Sequence, residues 1–234
     1  MNRYYRYILI ISILFISLQV RSQDIHFSQF DKQPLILNPA LSGDYVGDMR
    51  LALIQRRQWR QIGDPLITSG VSFEKKIRLF HDFLTIGGQF INDKISAVNL
   101  EINKAYLSTA YIKKTKKNKW HISLQLGYVN QDIDFSGQTF PSQFNPSTGR
   151  FDAGLSNGEN LLDGPNQYLD LNVGLLWTKP VGRRYLIKNG ISLFHINGPD
   201  QANSAIQSAL PLRYAFHHTS IFKVNEKVNF TPRV

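Results

Sequence analysis

The sequence predicts an all-β fold, an antiparallel transmembrane β-barrel of the outer-membrane kind. About eight to nine strands are expected in this chain, which makes the barrel incomplete. Three observations carry that expectation. An export signal opens the chain, the strands after it alternate with period two over a membrane-crossing length, and no later stretch is apolar enough to cross as a helix.

Residues Met1–Tyr7 carry Arg3 and Arg6 and no acid, and Ile8–Val20 has only Ser12, Ser17 and Gln19 as polar members. Val20 and Ser22 suit the −3 and −1 sites of signal peptidase, so residues 1–22 read as a cleaved secretory signal peptide. The competing reading, a membrane anchor, needs roughly 20 apolar residues, more than this run supplies. Two further parts are expected: a periplasmic N-terminal segment over 23–48, acting as cap or plug, and a β-barrel over 49–234.

The strand signal is clearest in Trp120–Tyr128 and Leu169–Trp177. Trp120, Ile122, Leu124, Leu126 and Tyr128 share one face, with His121, Ser123, Gln125 and Gly127 on the other. Leu169, Leu171, Val173, Leu175 and Trp177 oppose Asp170, Asn172, Gly174 and Leu176 in the same way. About nine residues of alternation approach the length a tilted strand needs to cross a membrane. Trp120, Leu124, Leu169, Val173 and Trp177 are therefore expected to face lipid, and His121, Gln125, Asp170 and Asn172 the interior. Less regular strands are expected at Met49–Trp59, Ile67–Ile77, Asp82–Asp93, Ile102–Lys113, Tyr185–Asn197 and Leu212–Val224, with a ninth starting at Lys227. Asn189 interrupts the apolar face of Tyr185, Ile187, Ile191 and Leu193.

The links divide by parity. Those after strands two, four and six contain Lys75–Asp82, Lys113–Lys119 and Lys179–Arg184, and are short and basic. Those after strands three, five and seven are longer and rich in Asn, Gly, Ser and Asp, the longest being Asp134–Asn166. With a periplasmic N-terminus, the even links fall in the periplasm and the odd ones outside, matching the short-turn, long-loop rule of outer-membrane barrels. The basic residues serve either as a docking surface or merely to solubilise tight turns. An even strand number is the rule for such barrels, so further strands are expected beyond Val234, unless the irregular third and fourth strands conceal a miscount of one.

Mean hydropathy is −0.23, too polar for a helical membrane protein and usual where only alternate residues meet lipid. Removing Arg3, Arg6 and Arg21 from the 27 bases leaves 24 against 17 acids. Export makes nucleic acid a poor partner for that charge, and an acidic protein, lipid headgroups or an envelope polymer a better one. Cysteine is absent, which excludes disulfides and thiolate metal sites. His121 with Ser123, and the pair His217-His218, show no converging nucleophile, base and orienting group. Asp134, Asp152, Glu159 and Asp163 lack calcium-loop spacing. No cofactor and no catalysed reaction are expected.

Asp24–Gly43 reads DIHFSQFDKQPLILNPALSG. Phe27-Ser28-Gln29-Phe30, the apolar Leu35-Ile36-Leu37 and then Asn38-Pro39-Ala40 with Gly43 resemble the opening of the PorP/SprF family of type IX secretion system membrane proteins of Bacteroidetes. Gln55-Arg56-Arg57-Gln58-Trp59 is similar to that family's first-strand motif, with Gln55 for the usual aromatic and Arg57 for a small polar residue. Gly63-Asp64-Pro65, Ser72-Phe73 and Asn229-Phe230-Thr231-Pro232 also match in order. The segment before Asn38 departs from the commoner Met-Phe-Asn-Pro form. The close match covers roughly Asp24–Phe73 and the rest follows by strand pattern.

The resemblance implies an outer-membrane component that supports export or surface attachment of secreted proteins, an adhesin or other type IX cargo, and gliding motility in organisms that glide. Periplasmic secretion or peptidoglycan-associated components and outer-membrane lipid are the further partners. Phe27, Gln29, Asn38, Pro39, Arg56 and Trp59, together with Lys113, Lys114, Lys116, Lys117 and Lys119, are the expected partner-binding residues. A channel for small solutes through the lumen is the alternative, since the inner faces are polar.

Overall fold

The computed structural model describes residues 32–61, 63–96, 99–134, 138–156, 164–200, 209–226 and 228–233. The expected signal peptide, and with it Phe27 and Gln29, lies outside the described residues. In chain order the strands are β1 (Met49–Gln58), β2 (Leu66–Leu79), β3 (Asp82–Ile95), β4 (Leu100–Lys114), β5 (Lys119–Ile133), β6 (Phe144–Asn145), β7 (Arg150–Phe151), β8 (Gly164–Val181), β9 (Tyr185–Phe194), β10 (Arg213–Lys223) and β11 (Asn229–Phe230). β6 and β7 make a small hairpin inside the longest link. The other nine form one sheet in which every strand pairs antiparallel with its neighbour in sequence. β1 and β11 are its edges among the described residues. No described helix is long and apolar enough to cross a membrane.

All eight expected long strands are present, and the two clearest are longer than the alternation suggested: β5 has 15 residues and β8 has 18. The extra length corrects the description of the even links. Lys75, Lys76 and Arg78 belong to β2, Lys113 and Lys114 to β4, Lys119 to β5 and Lys179 to β8. The turns themselves are Phe80-His81, Thr115–Asn118 and Gly182–Arg184. Long basic side chains do not stop a ladder, because their heads reach water from the last rungs. Backbone conformation stops it instead: Phe80 has φ 53° and Gly182 φ 65°, the left-handed values that tight two- and three-residue hairpins require.

Register then decides which side chains meet the bilayer. One outward row runs Tyr111, Ile122, Leu175, Ile191, Phe216 across β4 to β10, each directly opposite the next. The row nearer the even turns runs Lys113, Trp120, Trp177, Asn189, His218. Trp120 and Trp177 pack with centroids 6.0 Å apart, as an interfacial girdle would place them. On β5, Ile122 is 60% exposed and Leu124 47%, whereas His121 is 0% and Gln125 2%. Asp170 and Asn172 are likewise fully buried on the inner face, and Leu169 is exposed on the outer one. Apolar outside and polar inside inverts a water-soluble sheet, and only lipid around the sheet makes the outer face favourable.

Candidate functional site

The inner face is covered by a short irregular stretch that precedes β1. Pro34 opens a single helical turn, α1 (Pro34–Leu37), where its missing N–H costs nothing. Asn38 ends the turn in an extended conformation (φ −160°, ψ 120°), the region to which the following Pro39 confines it. A 3-10 turn, Pro39–Leu41, follows. Leu35, Asn38, Ala40 and Ser42 are fully buried.

Asn38 fixes this stretch to the sheet. Its Oδ1 accepts the Ala40 N–H at 2.8 Å, which turns Nδ2 toward the carbonyl oxygens of Leu175 (3.2 Å, β8) and Ile191 (3.1 Å, β9). Nδ2 also lies 3.1 Å from His217 Nε2 on β10, so that nitrogen accepts and the ring carries its proton on Nδ1. Such close approach needs bare backbone. A Cβ on Gly174 would lie 2.1 Å from Asn38 Oδ1, and one on Gly190 would lie 2.0 Å from His217 Nε2. The two glycines leave the space that Asn38 and His217 occupy.

Other contacts spread round the sheet. The Ser192 hydroxyl on β9 donates to Leu37 O at 2.9 Å, and the Gly43 N–H donates to Glu74 Oε2 on β2 at 3.2 Å. Arg50 on β1 donates to Glu74 Oε1 from Nε at 2.8 Å. Gln89 on β3 donates to Gln33 Oε1 at 2.8 Å. Tyr45 lies between the Arg50 guanidinium, 4.7 Å from its ring, and the Lys76 ammonium, 4.3 Å away. Asp44 pairs with Lys188 at 2.5 Å and Lys119 at 3.8 Å. One short segment reaches every region from β1 to β10 because the sheet wraps around it. Beside it a cavity of about 200 Å³ remains, lined in part by Arg50, Asp44, Lys188 and His217.

Burial opposes ionisation of Asp44, but attraction to Lys188 and Lys119 outweighs it and holds the carboxyl below its ordinary value of 3.8. A folded pKa lowered in this way adds stability above the unfolded pKa and loses it as pH falls through the folded value. With Ser42 replaced by cysteine as the only thiol in the chain, labelling by a soluble maleimide, which stays reactive near neutrality, should be slow after return from pH 5. A brief excursion well below pH 4 should speed it, if the reagent is present during recovery.

The expected partner-binding residues separate. Asn38 and Pro39 are buried against their own sheet. Arg56 faces inward near the far end of β1, and Trp59 lies just past that end, 64% exposed. The lysines sit at the opposite rim, so the structure does not join them to Arg56 and Trp59. Among the lysines, Lys113 binds Asp82 at 3.0 Å, Lys114 sits 4.3 Å from the Phe83 ring centroid and Lys119 turns toward Asp44. Lys116 and Lys117 stand exposed in the turn.

Sequence reasoning missed Gly174, Gly190, His217, Lys188 and Asp44. A usable signal existed: glycines on the inner faces of β8 and β9, where small polar residues would otherwise serve. Deeper in the interior, His195 Nδ1 lies 2.8 Å from Asp170 Oδ1, and Tyr106, Asn172 and Gln125 continue the network. Among the described residues no group of His, Asp and Glu side chains could hold a metal ion.

The family model for the type IX secretion system membrane protein PorP/SprF matches residues 19–234. The chain belongs to the PorP/SprF family. No curated protein and no solved structure matches it. As a PorP/SprF protein it is an outer-membrane component of the type IX secretion system, a family that works with other components of that system. Its Asn-Pro-Ala box is the segment that the inner face of the sheet holds.

Proposed function

We propose that this PorP/SprF protein supports export or surface attachment of secreted proteins, an adhesin among them, by binding partners at its periplasmic rim. Gliding is the outcome where the cargo is a motility adhesin. The observation that carries the reading is the filled interior: residues 33–45 bond to facing strands across the space that a solute would need. The surfaces left for work are the rims. We assign residues 23–48 to a periplasmic-end plug and the even turns to the same side, because the chain enters β1 beside them. The exposed Lys116 and Lys117, with Arg183 and Arg184 in the neighbouring turn, raise the local potential and favour an acidic protein or envelope polymer, with strong salt dependence.

Deleting the gene should abolish surface display of a type IX cargo, measured by antibody on intact cells. Neutralising Lys116, Lys117, Arg183 and Arg184 together should leave the amount of folded barrel unchanged and cut display several-fold. Normal display in the deletion strain would refute the secretion role. Normal display in the neutralised variant alone would reduce the basic turns to solubilising residues.

A further inference from the structure

The outer face of β9 and β10 carries a hydrogen-bonded chain of polar side chains where the face is otherwise apolar. Asn189 and His218 are directly opposite each other in the ladder. Ser220 is two residues beyond His218 and therefore on the same face. His218 Nδ1 lies 2.7 Å from Asn189 Oδ1, and His218 Nε2 lies 2.8 Å from Ser220 Oγ. The Tyr185 hydroxyl donates to Ser220 Oγ at 3.2 Å. The basic rim does not include these residues, and of them only His218 also borders the cavity beside the plug.

We propose that Ser220, His218 and Asn189 form a nucleophile site on the outer wall of the barrel that hydrolyses a carboxylic ester of a membrane lipid. A nucleophile, a base within hydrogen-bond reach and a third group orienting the base define such a site by geometry, and asparagine serves as the third group in known variants. Asn189 Oδ1 accepts the Nδ1 proton of His218, which leaves the Nε2 lone pair facing the Ser220 hydroxyl. Ser220 Oγ attacks the ester carbonyl carbon while its proton passes to Nε2. The bond from that carbon to the alcohol oxygen then breaks, Nε2 returns the proton to the leaving oxygen, and the lyso-lipid departs from an acyl-serine. Water, deprotonated by the same nitrogen, attacks the acyl carbon; the fatty acid leaves and Ser220 regains its proton. Tyr185 O–H is placed to turn from Ser220 Oγ to the developing oxyanion.

Position selects the substrate. Asn189 and His218 continue the row of Lys113, Trp120 and Trp177, the girdle level at which headgroups and ester bonds lie. Ile187, Ile191, Phe216 and Phe222 share this face and offer acyl chains an apolar bed. Tyr185 and Phe222, with ring centroids 6.1 Å apart, lie on the same face as Ser220, which is only 6% exposed, so an ester must displace these rings to reach its Oγ.

The test uses the full chain in detergent, mixed with micelles of a diacyl phosphatidylethanolamine, with free fatty acid as the readout. Hexadecanesulfonyl fluoride serves as a covalent probe, its site read by mass spectrometry. The folded protein should release fatty acid and carry the sulfonyl group on Ser220. Ser220→Ala and His218→Ala should each lower release by about 10³-fold or more. Asn189→Asp should move the acid limb of the pH–rate profile upward, because a carboxylate beside His218 favours its protonated form. A rate that did not use His218 as its base would leave that limb in place. Labelling of the unsubstituted chain needs no variant to fold. No fatty acid release from the folded protein, or undiminished release from folded Ser220→Ala, would overturn the proposal.

Discussion

Replacing Gly174 or Gly190 with alanine should unseat the Asn-Pro-Ala segment and destabilise the folded protein by about 2–4 kcal/mol. The single added carbon meets Asn38 Oδ1 at 2.1 Å in the first case and His217 Nε2 at 2.0 Å in the second. Neither neighbour can withdraw cheaply. Asn38 Oδ1 holds the Ala40 N–H, and His217 moving away leaves its own Nε2 without the Asn38 donor in a buried site. Gly88 is the control, since a Cβ there meets nothing within 4 Å, so Gly88→Ala should change stability by only tenths of a kcal/mol. Urea midpoints in detergent measure the cost, and labelling of a cysteine at Ser42 reports the segment directly. Wild-type midpoints and a protected thiol in both glycine variants would mean that the close approach to Asn38 does not anchor the segment.

Arginine in place of Leu124 should cost about 2–4 kcal/mol when the protein folds into lipid, whereas arginine in place of Trp120 should cost about 0–1 kcal/mol. Leu124 stands midway along the outward face of β5, between Trp120 and Tyr128, and its register neighbours are Thr109 and Val173. A guanidinium there must sit in hydrocarbon or reach to an interface, while Trp120 already lies at one. Equilibrium folding into phosphatidylcholine bilayers against a denaturant series gives both values. Equal costs at the two positions would put both at one depth and contradict the assigned membrane frame.

Much of this architecture was legible in the residues. Trp120–Tyr128 and Leu169–Trp177 alternate because one face meets lipid and the other does not, and period two records that directly. Strand ends were less legible. Lys113, Lys114 and Lys119 read as turn residues by charge, yet their backbones complete the β4–β5 ladder with Lys114 opposite Lys119. The interior site was harder still. Asn38-Pro39-Ala40 stood out as a motif, but the residues that receive it lie 137 to 179 positions away, at Leu175, Ile191 and His217. Nothing local couples such distant positions, so their meeting emerges only from sheet register. Asn189 was visible as an interruption of an apolar face, and register again supplied its partner, His218.

Single-channel recording in planar bilayers tests the central claim, a barrel filled by its own N-terminal segment and working through its surfaces. The full-length protein purified from outer membranes should give no stable conductance steps, and deletion of residues 33–45 should produce them. Stable steps from the intact protein, unchanged in size by that deletion, would contradict the claim and return the lumen to solute transport.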